Sequence, residues 1–432
     1  MRFVRPSLLY VAVLIVLSAC SVGDPPDLPE LGAATWNEFA PRGATVCADG
    51  SDYRYFVSAG TTNRLVIDFQ GGGACWDART CGLPVDDDGD GLYLEKVRGA
   101  PDEQGLGGIY ERDNPDNPFR DWYHVYVSYC TADLHLGDAQ TRYTGEVDGE
   151  QVDIVREHRG YENVRATLDW TFAEFERPDR ILVLGSSAGG YAAPVWFADI
   201  QRRYPTSQLA LHADSAAGVI TDSFAQDVAD NWNIARSLPA SLEGFDPNER
   251  GVAEIVADDF VKNLYIQLAT AYPDSRFSQY NTLADATQIL FYLLAGAGQA
   301  EAVLTWTPQM LASLGTIGVT VALENDTVNV YSYLSDLAED NALAEAFPVD
   351  TTTHVIVTRE QFYTLREDGV RYADWLADFA TGREVASVAP AVELTRSALE
   401  AEHIGKADKL LAGADGDGGI AVEVGIGAFG LR

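Results

Sequence analysis

Short apolar runs recur along the chain, and each ends at or near a glycine, an aspartate or a serine. Continuous apolar runs of this length predict strands that are buried on both faces, as in a parallel sheet. Helix-period patterns lie between several of them, for example at 161–175 and 190–204. This alternation predicts an α/β fold, with a mostly parallel sheet covered by helices on both faces. The predicted strands are 65–69 (LVIDF), 124–129 (HVYVSY), 181–184 (ILVL), 209–212 (LALH) and 266–269 (IQLA).

Two stretches, 231–264 and 287–319, do not fit this alternation and predict cap or insert segments.

Composition narrows the class of protein further. The chain has 432 residues, 47% of them hydrophobic, and 30 Lys and Arg stand against 65 Asp and Glu, a formal net charge of −35. Such a chain is globular and would repel a polyanion, so nucleic-acid binding is excluded.

The N-terminus has the pattern of an export signal. Arg2 and Arg5 precede an apolar run from Leu8 to Leu17, which at ten residues is too short to span a bilayer. The sequence LSAC that ends at Cys20 resembles the lipobox of bacterial lipoproteins, in which the cysteine is lipid-modified; an ordinary secretory signal is the alternative. We therefore expect an exported chain, held on the outer side of a bacterial membrane by a lipid at Cys20.

The same patterns give a domain organisation. Residues 1–19 are expected to be the signal peptide, and the acidic, proline-rich residues 20–32 a tether. A single folded domain is expected over 33–390. Residues 391–432 form a C-terminal extension whose pattern predicts no structure.

Four further cysteines suit an exported chain with two disulfides. They allow three pairings, and the short spacing of Cys75 and Cys81 around a loop favours bonds 75–81 and 47–130, the latter joining Cys47 to Cys130. A zinc site is the alternative, but the chain has no Cys-x-x-Cys pair, and we expect no metal.

Ser187 is the candidate nucleophile. The run 181–184 leads into Gly-Ser-Ser-Ala-Gly at 185–189 and then into a helical pattern, the strand–turn–helix context of a nucleophile elbow. Only Ser187 is central in this G-x-S-x-G pattern, which excludes Ser186. The backbone N–H of Ala188 is a candidate donor to an oxyanion.

A second oxyanion donor is expected from an earlier loop. Three consecutive glycines follow the run 65–69, and Gly72 and Gly73 are the candidate donors, because backbone without side chains can approach a ligand closely. A phosphate-binding loop is the alternative, but the lysine of the GxxxxGK[ST] motif is absent.

Several motifs occur together in a recognisable order: DFQGGGACWDARTC (68–81), NPFRDWYHVYVSYCTADLHLGD (117–138), LGSSAGG (184–190), LHADSAAGV (211–219) and YNTLADATQ (280–288). They resemble the pectin acetylesterase and Notum-type carboxylesterase family over about residues 36–382. The resemblance implies an α/β-hydrolase-like fold and ester hydrolysis by a Ser-Asp-His triad without a cofactor. Animal members remove a fatty acyl group from a signalling protein, and plant members remove acetyl groups from pectin.

The resemblance also implies the other two members of the triad. His354 opens an apolar run (HVIV), predicted to be a strand, and matches the family's base; Asp285 in LADATQ matches the family's acid. Asp214, which ends the run after the nucleophile helix, is the competing acid. His212 is expected in the core, and His403 in an exposed helix.

Two features remain open. Trp76, beside the glycine loop, and His135 are candidates for the pocket wall, but His135 also fits a loop histidine with no direct role. Residues 86–91 (DDDGDG) resemble the start of a calcium loop but lack the glutamate at position 12, which favours a solvated acidic loop.

The expected function is therefore that of a serine carboxylic-ester hydrolase acting on a short-chain or glycan ester. Because of the −35 charge, a neutral ester is expected to be preferred over highly charged pectin. The alternatives are a non-catalytic binding lipoprotein on a hydrolase scaffold and a depolymerase acting on polyester or polysaccharide.

Overall fold

The computed structural model describes residues 28–33, 35–85, 91–147, 150–325, 328–337 and 354–390. The predicted signal peptide, Cys20, the first part of the tether, the acidic loop at 86–90 and the C-terminal extension with His403 lie outside these residues. None of the helices in the described ranges is both long and apolar enough to cross a membrane.

The strands of the described residues are β1 (Asn37–Phe39), β2 (Tyr55–Ser58), β3 (Arg64–Phe69), β4 (Tyr123–Val127), β5 (Ala139–Val147), β6 (Glu150–His158), β7 (Arg180–Ser186), β8 (Gln208–Asp214), β9 (Arg276–Thr282), β10 (Val330–Ser335), β11 (Arg366–Glu367) and β12 (Val370–Arg371). Eight of them form one sheet in the order β1-β2-β4-β3-β7-β8-β9-β10. Every pair from β4 to β10 is parallel, whereas β2 is antiparallel to both β1 and β4. Two antiparallel pairs, β5–β6 and β11–β12, stand apart from this sheet.

Helices follow most of the parallel strands. They are α1 (Ala78–Cys81), α2 (Gly160–Glu174), α3 (Ala188–Arg203), α4 (Asp222–Asn231), α5 (Val252–Ala257), α6 (Phe260–Ala271), α7 (Ala286–Leu294), α8 (Gln299–Glu324), α9 (Gln361–Thr364) and α10 (Tyr372–Ala380).

Both faces of the sheet are covered. Alternate side chains of β7 enter two different cores, because successive residues of a strand point to opposite faces. Val183 packs in the core that holds α2, α3 and α6, and Leu182 packs in the core that holds α10. A smaller cluster joins α7 and α8, which contribute Ile289, Trp306 and Met310. The prediction of an α/β-hydrolase-like fold with helical cap segments is confirmed.

Two local predictions were wrong. The run 266–269, predicted as a strand, lies inside helix α6, and the strand of this region is β9, ten residues further along the chain. The run 354–357, also predicted as a strand, contains no strand in the structure.

Candidate active site

Ser187 occupies a sharp turn between β7 and α3. Its backbone angles are φ 51° and ψ −121°, in a region that residues other than glycine seldom adopt. Its N–H donates to the carbonyl oxygen of Asp214 at 2.7 Å. A Cβ on Gly189 would lie 1.8 Å from the carbonyl oxygen of Phe69, so only glycine fits this turn. The serine thus stands at the N-terminus of α3, where the helix dipole favours negative charge.

The glycine loop after β3 packs against this turn. A Cβ on Gly71 would lie 2.9 Å from the Cβ of Ser187. Gly73, with φ +70°, lines the same cavity as Ser187 and Ala188, whereas Gly72 is not part of that wall. Gly73 and Ala188 thus border the cavity beside Ser187, and the oxyanion role of the N–H groups of Gly72, Gly73 and Ala188 stays a prediction.

His354 and Asp285 form a hydrogen-bonded pair at the cavity. The Nδ1 of His354 lies 2.7 Å from the Oδ2 of Asp285, whose side chain is fully buried. His354 also lines the cavity with Ser187, and its Nε2 has no hydrogen-bond partner among the described residues. A histidine oriented by a carboxylate on one nitrogen and open on the other can take the proton of a serine hydroxyl.

Gln288 is a site residue that the sequence analysis missed. Asp285 is the N-cap of α7, and its Oδ1 accepts the backbone N–H of Gln288 at 2.9 Å. The amide of Gln288 also donates to Oδ2 at 2.9 Å, the oxygen that bonds His354. The spacing Asp-x-x-Gln is that of a helix cap, so this pattern was the available signal.

Asp214 does not bond the histidine side chain among the described residues. Its Oδ2 accepts the backbone N–H groups of Ile356 and Val357, each at 2.8 Å. Burial raises the pKa of Asp214 to about 6. His212, on the same strand, is fully buried and bonds Ser278 and Tyr372, as expected for a core residue.

The cavity beside Ser187 is lined mainly by apolar side chains. Trp76 lies in its wall, and α7 supplies further residues of the wall. The apolar lining consists mainly of Leu134, Val219, Ile220, Phe224, Phe291, Tyr292 and Ala295.

His135 does not line this cavity. The residue is 1% exposed, and its Nε2 lies 2.8 Å from the carbonyl oxygen of Gln70, at the base of the glycine loop. Burial lowers the pKa of His135 to about 4, so the ring is neutral and Nε2–H donates this bond. Its neighbour Leu134 lies in the wall instead.

Both predicted disulfides are present, one between Cys47 and Cys130 and the other between Cys75 and Cys81. The sulfurs of Cys75 and Cys81 lie within 4.8 Å of a ring nitrogen of His158, a grouping that could hold a metal ion. Because the two sulfurs are bonded to each other, they are not thiolates and do not offer metal ligands. Two disulfides are typical of a protein exported to an oxidising compartment.

Comparison with known proteins agrees with this fold. The sequence pattern of the family described as Pectinacetylesterase matches residues 36–238. The palmitoleoyl-protein carboxylesterase NOTUM of Schmidtea mediterranea is 26% identical over 167 residues, which cover 36% of this chain and 28% of that protein. The Wnt deacylase Notum from Drosophila has a similar structure, with a TM-score of 0.52 at 14% identity, over 84% of this chain and 98% of that one.

These matches differ in what they establish. The structural similarity, at 14% identity, concerns the fold. The family match covers the region that holds the glycine loop, both disulfides and Ser187. Residues 36–238 are therefore similar to the pectinacetylesterase family, and the fold is that of an α/β-hydrolase.

Proposed function

We propose that the protein hydrolyses carboxylic esters by an acyl-enzyme mechanism, with Ser187 as nucleophile, His354 as base and Asp285 as acid. The observation that carries the proposal is the His354–Asp285 bond of 2.7 Å at the cavity that holds Ser187. His354 takes the hydroxyl proton through Nε2 as Ser187 attacks the ester carbonyl. Asp285 holds the ring in place and stabilises its charged form.

The remaining steps use the backbone around the serine. The N–H groups of Gly73 and Ala188 stabilise the oxyanion of the tetrahedral intermediate, assisted by the N-terminus of α3. His354 then donates its proton to the departing alcohol, which leaves an acyl group on Ser187. A water molecule, activated by the same histidine, releases the acid and restores the serine.

The apolar lining of the cavity supports a substrate whose acyl group is neutral and apolar. Its wall is almost entirely aliphatic and aromatic, and the described residues that line it include no arginine or lysine. The relative from Schmidtea is named for a palmitoleoyl ester, which is also apolar. We therefore propose an acyl chain longer than acetyl, on an alcohol or glycan without high charge.

Export and anchoring complete the proposal. The two disulfides support secretion, and the N-terminal pattern that ends at Cys20 supports a lipid anchor, although Cys20 lies outside the described residues. A Cys20→Ser variant that still carried a lipid would contradict this part.

The proposal is tested with p-nitrophenyl esters from acetate to palmitate. Each methylene buried contributes ~0.8 kcal/mol, so kcat/KM should rise about fourfold per methylene until the cavity is full. A fluorophosphonate probe should label Ser187 covalently. A protein that is not labelled and hydrolyses none of the esters would be a binding protein on a hydrolase scaffold instead.

Narrowing the cavity should change chain-length preference. The variant Ala295→Phe places a large side chain in the cavity wall. We expect kcat/KM for the longest good substrate to fall at least about tenfold, with little change for the acetate ester, because the added ring excludes only the long acyl chain. Ala312→Phe, at an exposed position of α8, serves as the control. An equal loss for all esters would show that Ala295 does not limit the acyl site.

A further inference from the structure

The loop that carries His354 is held by hydrogen bonds to its backbone. The N–H of Val355 donates to the hydroxyl of Ser215 at 3.0 Å, and the next two N–H groups donate to Oδ2 of Asp214. The Ser215 hydroxyl in turn donates to Oδ1 of Asp214 at 3.0 Å. Three successive N–H groups after His354 thus end on one pair of side chains.

This loop needs such support, because its backbone is strained. Val355, in this loop, has φ +61°, which is rare for a β-branched residue. Ser215, which accepts its N–H, has φ +63°. The sequence from 354 to 357 is apolar and β-branched, so its intrinsic preference is for a strand. The bonds to Asp214 and Ser215 replace the strand pairing that this preference would give.

Asp214 also contacts the nucleophile turn. Its carbonyl oxygen accepts the N–H of Ser187 at 2.7 Å, while its carboxylate holds the loop of His354. One residue at the end of β8 therefore joins the backbones of the serine and the histidine. Asp285 bonds the histidine ring separately and does not contact these backbone groups in the described residues.

A buried carboxylate at this position has no simple packing reason. Asp214 is fully buried, in a place where an apolar residue would avoid the cost of burying a charge. The charge instead strengthens two backbone hydrogen bonds, because charge-assisted bonds are shorter and stronger than neutral ones.

We propose that Asp214 is a positioning residue, which fixes the loop of His354 relative to Ser187 so that proton transfer can occur. It does not exchange a proton with the substrate or with Ser187. The inference rests on the proposed function, since it concerns the same serine and histidine.

The test compares Asp214→Ala with Asp214→Asn. The alanine variant leaves two N–H groups without their acceptor, and kcat should fall about 100-fold, the cost of misplacing a catalytic group by about 1 Å. KM should change less than about twofold, since Asp214 does not line the cavity. Asparagine keeps an oxygen that can accept both N–H groups, so kcat should recover to within about tenfold of the original.

The matched control is His212→Ala, on the same strand and the same face. His212 is equally buried and polar, but it bonds Ser278 and Tyr372, away from the serine and the histidine. This variant should lose thermal stability and keep its kcat. If both alanine variants lose kcat in proportion to stability, or if asparagine restores nothing, the positioning role is wrong.

A second variant covers the case in which Asp214→Ala does not fold. Ser215→Ala removes the hydroxyl that accepts the Val355 N–H and donates to Asp214, while the carboxylate stays in place, and kcat should fall about tenfold. An unchanged kcat would overturn the proposal. These outcomes are separate from failure of the proposed function, in which the unaltered protein itself neither hydrolyses esters nor reacts with the serine probe.

Discussion

Replacing Ser187 by alanine is expected to abolish ester hydrolysis while the fold is kept. The hydroxyl is the proposed nucleophile, and no other serine occupies the turn in the same way. By analogy with other serine hydrolases, kcat should fall by at least about 10⁴-fold. The variant should unfold at nearly the same denaturant concentration as the original protein, since the turn already accommodates small residues.

The neighbouring serine provides the control. Ser186 is buried and does not line the cavity, so Ser186→Ala should keep most of the activity. His354→Ala acts on the same step as Ser187→Ala, so the double variant should be scarcely slower than either single variant. Substantial activity in Ser187→Ala, or full additivity in the double variant, would contradict the assigned nucleophile.

The parts of this site that sequence could predict are those that local sterics impose. The turn at Ser187 and the glycine loop need small residues in fixed order, because neighbouring backbone atoms occupy the space that a side chain would need. Such constraints produce a recognisable sequence motif. The pairing of Cys75 with Cys81 was predictable for the same reason, since a separation of six residues limits the choices.

The strand errors have a different origin. A run of four apolar residues such as 266–269 fits a buried strand or one face of a helix equally well. Only the apolar pattern over the full length of α6 distinguishes the two. Strand β9 was missed because it carries polar residues, Ser278, Gln279 and Asn281, that are buried. Their partners come from distant parts of the chain, which a local pattern cannot reveal.

The loop of His354 shows how tertiary contacts override local preference. Its β-branched sequence favours a strand. The side chains of Asp214 and Ser215, about 140 residues earlier, instead accept hydrogen bonds from its N–H groups and hold it in a turn. His135 is a similar case, because its bond to the carbonyl of Gln70 depends on burial that the sequence does not show.

Removing the Cys47–Cys130 disulfide is expected to destabilise the protein more than removing Cys75–Cys81. The chain-entropy relation depends on the length of the closed loop, and the sequence separations are 83 and 6. It gives a loss in the free energy of unfolding of about 4.5 kcal/mol for the first bond and about 2 kcal/mol for the second. Paired Cys→Ala variants, measured by urea unfolding, compare the two without leaving a free thiol.

Activity should show the opposite order. Cys75 follows the glycine loop closely, and its carbonyl oxygen accepts the indole N–H of Trp232, so its disulfide holds the backbone next to Gly73. The variant lacking Cys75–Cys81 should therefore lose more kcat at a temperature where both variants are folded. Cys47 and Cys130 are distant in sequence from the glycine loop, and their loss should affect stability with a smaller change in kcat. If stability and kcat fell together in both variants, the short disulfide would have no separate role in the oxyanion loop.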